Sequence, residues 1–486
     1  MSAAFLTRRS FCRVAAAGAA APLLCQSDAE TPNIIYVLAD DLGWGDLGCY
    51  NAASAVPMPN ANRLAGEGMR FTDMHSSSAV CTPSRYSILT GRYCWRTRLQ
   101  RGVLNGYSPN LIEAGRLTAP SMLKRAGYYT AGVGKWHLGL GDSDPTDFSK
   151  PLHPGPLDHG FDYYFGIPAS LDMPPYLYFE NDRVVEAASS YTPGAKEPRG
   201  YFWRAGACMP NFKPETVLPE LTAKSVDLIH RHASAKQPFF LYFAMPSPHT
   251  PWVPTAKFRG ASRAGDYGDY AAEVDDALGQ VMRAVDASST RNTLFIFTSD
   301  NGADWKVSDL DRYAHRANAG WKGEKADIWE GGHRIPFVVR WPNHVKAGSV
   351  SEELGCLSDF MATAAAILGV KLPNNAAEDS FNLLPAWLGN DTQPIRPDII
   401  HHSVDGMFSI RRGTWKLEEG LGSGGFSDPA RVDPAPGGPK GQLYDMVHDP
   451  EEKENLYQKR PEIVDSLATF LDQYKRQGFT RPQDGK

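Results

Sequence analysis

The clearest pattern along the chain is a set of short apolar runs without alternation. Residues 33–39 (Asn-Ile-Ile-Tyr-Val-Leu-Ala) stop abruptly at Asp40-Asp41, and similar runs recur at 239–244, 293–298 and 335–340. A strand buried on both faces needs such a continuous run, and burial on both faces is typical of parallel sheets. Stretches with helical spacing, such as 119–126 and 270–285, lie between the runs. Alternating strands and helices predict an α/β fold with a mostly parallel sheet flanked by helices. The C-terminal portion differs. Strand-like pieces near 407–410, 415–417 and 442–444 follow closely on one another, and a last helix carries Ile463, Val464, Leu467, Phe470, Leu471 and Tyr474 at helical spacing. They predict a smaller α+β subdomain, a short antiparallel sheet plus one helix. Residues 419–441, rich in Gly, Pro and Ser, predict an exposed loop.

The N-terminus follows neither pattern. Thr7-Arg8-Arg9-Ser10-Phe11 precedes an apolar, Ala-rich stretch at 14–24. A twin arginine before a short apolar segment predicts a Tat-type export signal, hence a periplasmic or extracellular protein. The segment is too short to span a bilayer, which takes about 20 residues, and no later segment looks transmembrane. Cys25 follows the bulky Leu24, which argues against a lipid anchor. The expected division is a signal peptide at 1–29, a main domain at 30–395 and a C-terminal subdomain at 396–486. The 486 residues suit more than one packing unit, and the net charge of -5 gives no support for a nucleic-acid partner. Of seven cysteines, five lie beyond the leader, an odd number without a CxxC pair. That is neither a disulfide scaffold nor a thiolate metal site.

Two predicted strands end in oxygen ligands, one at Asp40-Asp41 and the other at Ser299-Asp300-Asn301-Gly302. Sites in open α/β sheets form outside the carboxyl ends of strands. Carboxylates meeting there repel one another, and a hard divalent cation such as calcium or magnesium would relieve this. Both motifs are also common turn sequences. Cys81 precedes Thr82-Pro83-Ser84-Arg85 and a helix-compatible stretch, which puts it at a helix N-terminus where an anion is favoured. It reads equally as a small buried hydrophobe. A strand-like segment from Gly127 delivers Lys135 and His137, two residues apart and so on one side of an extended chain. His249 lies between Pro248 and Pro251, and Lys325 lies in a Gly-flanked block. Gathered at strand ends, these cations would form a pocket for a tetrahedral, oxygen-rich anion.

The stretch from Ala79 through Cys81 and Arg85 to Thr90-Gly91 resembles the first signature of the type I, formylglycine-dependent sulfatases, and Gly127 to His137 resembles the second. Asp40-Asp41, Pro248-His249, Ser299 to Gly302 and Lys325 to Gly332 match further family positions in the same order. Leu443-Tyr444-Asp445, Asp449-Pro450 and Asn455-Leu456 resemble the closing motif. With Tyr178 to Asp182, the overall look is similar to the arylsulfatase A and N-acetylgalactosamine-6-sulfatase branch. The resemblance implies an alkaline-phosphatase-like fold, with 30–395 as the catalytic domain. It implies that a maturation enzyme, acting on the unfolded chain, converts Cys81 to formylglycine (3-oxoalanine). It implies one calcium ion held by Asp40, Asp41, Asp300, Asn301 and residue 81. Arg85 and Lys135 would then stabilise the aldehyde hydrate, His137 would assist the second step, and His249 and Lys325 would hold the sulfate.

The substrate implied is a sulfate ester, with a sulfated carbohydrate favoured. A phosphoester or phosphonate hydrolase of the same superfamily, and a non-catalytic binder of sulfated glycans, are the alternatives. Around the pocket, Tyr176, Tyr178, Phe179, Tyr201 and Trp203 could stack on sugar rings or cover the core. His153, Asp158, His159 and Asp172 are further candidates for substrate contact.

Overall fold

In the computed structural model, which describes residues 31–232, 235–288 and 292–483, the first apolar run is the central strand of a ten-stranded sheet. The proposed signal peptide lies outside the described residues. In chain order the strands are β1 (Asn33–Asp40), β2 (Met69–Phe71), β3 (Tyr129–Lys135), β4 (Tyr163–Ile167), β5 (Phe179–Glu180), β6 (Arg183–Val184), β7 (Phe239–Pro248), β8 (Thr293–Ser299), β9 (Phe337–Arg340) and β10 (Ser349–Ser351). In space they run β10-β2-β9-β8-β1-β7-β3-β4-β5-β6. The five central strands, β8 to β4, are mutually parallel. The run at 335–340 departs from the expected parallel pattern: β9 begins at Phe337 and pairs antiparallel with both β8 and β2.

Every residue of β1 is buried. Period-two alternation sends Ile35 and Val37 to one face, beneath the Pro214–His232 and Gly265–Ala287 helices, and Ile34, Tyr36 and Leu38 to the other. That second face is covered by Ala119–Arg125, Cys81–Thr90 and Phe360–Ile367. Two covered faces explain why the run shows no polar alternation. The Cys81–Thr90 helix is buried at all its positions and stops at Gly91, whose φ of 64° lets its N–H reach the Ser87 carbonyl at 2.9 Å.

The C-terminal elements form a separate four-stranded antiparallel sheet, Asp398–His402, Phe408–Arg412, Trp415–Glu418 and Gln442–Asp445, in that spatial order. The amphipathic Pro461–Gln477 helix packs Val464, Leu467 and Leu471 on Ile410, Leu417 and Leu443. The same cluster takes in Tyr93, Trp95 and Cys356, so this sheet has no core of its own apart from the main domain.

Gly134, one residue before Lys135, adopts a φ of 119°, and a Cβ there would lie 1.9 Å from the Ala244 carbonyl oxygen. Neither conformation nor space admits a side chain. Gly134→Ala should destabilise the fold by about 2–3 kcal/mol. The urea midpoint of the purified variant measures this, and an unchanged midpoint would show that β7 gives way freely.

Candidate active site

Because β1, β3, β7 and β8 are parallel, their carboxyl ends share one edge of the sheet. Along that edge β1 delivers Asp40 and Asp41, β3 delivers Lys135, β7 leads to His249, and β8 leads to Asp300 and Asn301. The Cys81–Thr90 helix begins against them and brings Cys81 and Arg85. All ten residues singled out from the sequence therefore meet in one place once Lys325 is added from its loop. Strand ends alone do not aim the side chains. Asp41 has a φ of 63° and Ala326, next to Lys325, a φ of 78°, a strain typical of functional sites.

The core of the site is a set of buried carboxylates matched by cations. Lys135 Nζ donates to Asp40 Oδ2 at 2.5 Å, and Lys325 Nζ donates to Asp41 Oδ2 at 2.7 Å. Arg85 holds Asp300 Oδ2 at 2.8 and 2.9 Å and comes within 3.5 Å of Asp40. Asn301 Nδ2 donates to Asp41 Oδ1 at 2.7 Å, while its Oδ1 is buried without a partner among the described residues. Burial opposes ionisation of Asp40, but Lys135, His249, Arg85 and Lys325 together hold its carboxyl well below the usual range. Asp300 goes the other way. Burial, then the Asp40 charge, raises it to about 6 against Arg85 and Lys135. The two carboxylates are crowded beyond what the protein cations relieve.

Cys81 Sγ lies 3.4 Å from Asp40 Oδ1. Burial and the Asp40 charge push its thiol well above the ordinary value, so the encoded side chain stays a neutral thiol at neutral pH. His137 is also kept neutral, first by burial and then by Lys135 and Arg85. Its Nε2 lies 2.8 Å from the Leu104 carbonyl, and its Nδ1 is buried without a partner among the described residues. The two-residue alternation expected of Lys135 and His137 does not hold, because β3 ends at Lys135 and His137 turns to a φ of 56°. Lys135 reaches back to Asp40 while His137 faces the cavity. His249 Nδ1 donates to the Thr250 carbonyl at 2.7 Å, and its Nε2 lies 3.7 Å from Asp41 Oδ2.

A cavity of about 420 Å³ opens onto this cluster. Cys81, His137, His249 and Lys325 line it; Asp40, Asp41, Arg85, Lys135, Asp300 and Asn301 stand behind its wall. Of the further candidates, Asp172 lines the cavity, paired with Arg204 at 2.5 Å. His153 and Asp158 instead pair with each other at 2.8 Å near the surface, and His159 stacks on Trp136 in the core. None of these three reaches the cavity. Tyr176, Tyr178 and Phe179 are buried, and Tyr201 and Trp203 pack edge to face outside the lining. The aromatic of that stretch that does line the cavity is Phe202.

Sequence reasoning missed the outer wall. Arg199, held by Asp304 at 3.1 Å and Asp309 at 2.7 Å, has no periodic signal to announce it. Phe426 belongs to the loop predicted to be exposed. Part of that loop is buried instead, because Asp327 accepts the backbone N–H groups of Phe426 and Ser427 at 2.7 and 3.1 Å and draws it over the cavity. A second convergence of possible ligands, His75, His333 and His401, is buried elsewhere. The His333 and His401 rings stack at 3.7 Å and 10°, and two such rings cannot both aim in-plane lone pairs at one ion. Their ring nitrogens instead meet protein groups: His75 Nδ1 lies 3.0 Å from His333 Nδ1, and His401 Nδ1 lies 3.0 Å from the Ser76 carbonyl.

Arg85→Met would leave Asp300 and Asp40 without their shared cation. Removing one partner of a buried pair costs about 3–5 kcal/mol. Urea unfolding in the presence of chelator should show a loss of that size; a loss under about 1 kcal/mol would mean that the carboxylates take up protons at little cost.

Residues 32–370 match the Sulfatase family. The chain is 35% identical to an N-acetylgalactosamine-6-O-sulfatase of Bacteroides thetaiotaomicron, over 92% of this chain and 94% of that protein. It is 33% identical to human arylsulfatase A, over 90% of this chain and 87% of the relative. A solved Bacteroides thetaiotaomicron structure, from work on the metabolism of multiple glycosaminoglycans, superposes with a TM-score of 0.81 at 34% identity, covering 92% of this chain and 100% of that one. The chain belongs to the sulfatase family, the hydrolases of sulfuric esters.

Proposed function

We propose that the chain is an exported enzyme that removes sulfate from a carbohydrate, using residue 81 in its formylglycine form and one calcium ion. The observation that carries this reading is the convergence of Asp40, Asp41, Asp300 and Asn301 behind Cys81, which lines the cavity together with Lys325 and His249. The twin-arginine segment supports export, and a maturation enzyme is the partner the conversion requires. The catalytic domain is assigned to 30–395 and the C-terminal subdomain to 396–486.

The carboxylates and the unpartnered Asn301 Oδ1 are hard oxygen donors, which fit calcium rather than zinc. An ion held by Asp40, Asp41, Asp300, Asn301 and an oxygen of residue 81 would supply charge neutralisation and Lewis acidity. Formylglycine would supply a hydrated aldehyde, with one hydroxyl to attack sulfur and a second to let sulfate leave. The rest falls to the encoded side chains. Arg85 and Lys135 hold the carboxylates in place and add positive charge around residue 81. Lys325, from the cavity wall, pairs with a sulfate oxygen. His249 has its Nδ1 engaged with the Thr250 carbonyl, which leaves Nε2 to hold or give a proton at the leaving oxygen. His137, with Nε2 on the Leu104 carbonyl, keeps Nδ1 free to take the proton that release requires. Three cations already balance three carboxylates, so a divalent ion leaves the pocket positive and matched to an anion.

Relatives named for N-acetylgalactosamine 6-sulfate make that sugar the first test substrate. Matured enzyme should desulfate it and prefer an aryl sulfate to the matched aryl phosphate. A clear preference for the phosphate would overturn the assignment. Cys81→Ala should lower kcat by about 10³-fold or more, and peptide mass spectrometry on protein from the native host should find an aldehyde at residue 81. An intact thiol there would contradict the mechanism. Calcium returned after chelation should raise the melting temperature of the parent and not that of Asp300→Asn; equal responses would place the ion elsewhere.

A further inference from the structure

A second cavity, of about 850 Å³, is lined by Arg92, Arg96, Arg98, Arg101 and Lys475, with Asp405 its one carboxylate. Trp95 and Phe408 also border it, but Arg96 lies over the Trp95 ring and Lys475 over the Phe408 ring, each at 4.2 Å, so these rings back the cations. This concentration of cations sits on a chain whose net charge is -5. Arg92 is paired with Glu113 and Glu378, Arg96 with Asp379, and Lys475 with Glu419. The other two arginines are not neutralised. Arg98 is exposed and gives its terminal nitrogens to the Asn110 and Pro109 carbonyls, both at 2.8 Å, which fixes the side chain and leaves its charge intact. Arg101 is exposed and makes no ion pair among the described residues. Asp405 is itself held by Arg431 at 3.2 Å.

The groove adjoins the active-site cavity. Val103 and Val404 line that cavity, while Gln100, Arg101, Asp405 and Gly406 line the groove. Gly102 N–H donates to the Val404 carbonyl at 2.7 Å, so the two segments form one ridge with a cavity on either side. Two residues of chain span at most about 7 Å, so the groove starts within one or two sugar rings of the catalytic cavity.

We infer that the groove binds the continuation of the substrate, so that the substrate is a polyanionic glycan carrying further sulfate or carboxylate groups beyond the sugar being desulfated. The inference rests on the proposed sulfatase reading of the adjoining cavity. Guanidinium groups pair with sulfate and carboxylate through two parallel hydrogen bonds. Exposed charges of one sign draw in a polyanion, with a strength that falls as salt rises.

The test uses matured full-length enzyme and an Arg98→Gln/Arg101→Gln double variant. Neither substitution strands a buried charge, and an unchanged melting temperature verifies the fold. On chondroitin 6-sulfate chains, kcat/KM should fall about tenfold, chiefly through KM, with a weaker dependence on NaCl than in the parent. On 4-nitrophenyl sulfate it should be unchanged. Equal losses on both substrates, or no loss on the chains, would overturn the inference. If the parent turns over neither substrate, the sulfatase reading is what fails. The groove is then judged by calorimetric titration with heparin oligosaccharides, where equal affinity of parent and variant refutes it.

Discussion

The structure depends on three carboxylates that could not be buried unless three cations arrived with them. Asp40 and Asp300 are out of contact with water, as are Lys135 and Arg85, and Asp41 is nearly so. Stripping water from an ion costs several kcal/mol even after relaxation, so each carboxylate is tolerable only with its partner in place. The partners come from elements far apart in sequence. Asp40 ends β1 and Lys135 ends β3, while Arg85 sits one turn into a helix. Only a sheet whose central strands are parallel brings those ends to one edge. The register of the sheet and the charge balance of the site are thus one constraint, met or lost together.

The small C-terminal sheet takes part in the same constraint. Lys325 sits in a segment without regular structure whose position is set by its neighbours. Ala326 donates its N–H to the Ala79 carbonyl and accepts from Val404 N–H, and Ile328 N–H donates to the Ser423 carbonyl. Lys416, wholly buried on the Trp415–Glu418 strand, donates to the Ile328 carbonyl at 3.0 Å and to Glu452 at 2.7 Å. Stacked His333 and His401 add a packed contact between the short Glu330–His333 helix and the C-terminal sheet. The cation opposite Asp41 is therefore held in part by residues beyond 400. A cut near residue 395 would divide the sheets but would also release one wall of the cavity.

Legibility followed the physics. The runs at 33–39, 239–244 and 293–298 were readable because burial on both faces removes polar alternation. The catalytic candidates were readable because chemistry fixes residue type at the ends of those strands. β4 was not singled out: Tyr163–Ile167 is too short and too mixed to stand out. Asp398–His402 was missed because Asp and two His interrupt its apolar character, and they are buried through partners the sequence does not name. The cavity wall was the least legible part. Arg199, Arg204, Phe202 and Phe426 lie in irregular segments, where position comes from tertiary contacts such as Asp327 capturing the Phe426 backbone. Composition correctly marked 419–441 as a loop but could not say where that loop goes.

The burial of residue 81 sets an order on its proposed conversion. Cys81 is 2% exposed, and the helix it opens is buried at every position on a face of the main sheet. An enzyme that modified residue 81 would have to reach into this helix, which also holds Arg85, whose guanidinium is committed to Asp300 and the Lys135 carbonyl. Exposing them would break the buried ion pair as well as the apolar contacts of Tyr86, Ile88 and Leu89, an opening close in cost to global unfolding. Such a conversion would therefore have to precede the docking of this helix. The fold does not wait for it, because the thiol is neutral, small and apolar enough to be packed as encoded. A chain that escapes maturation would accordingly fold around an inert cysteine, with its carboxylates and cations paired as they are here.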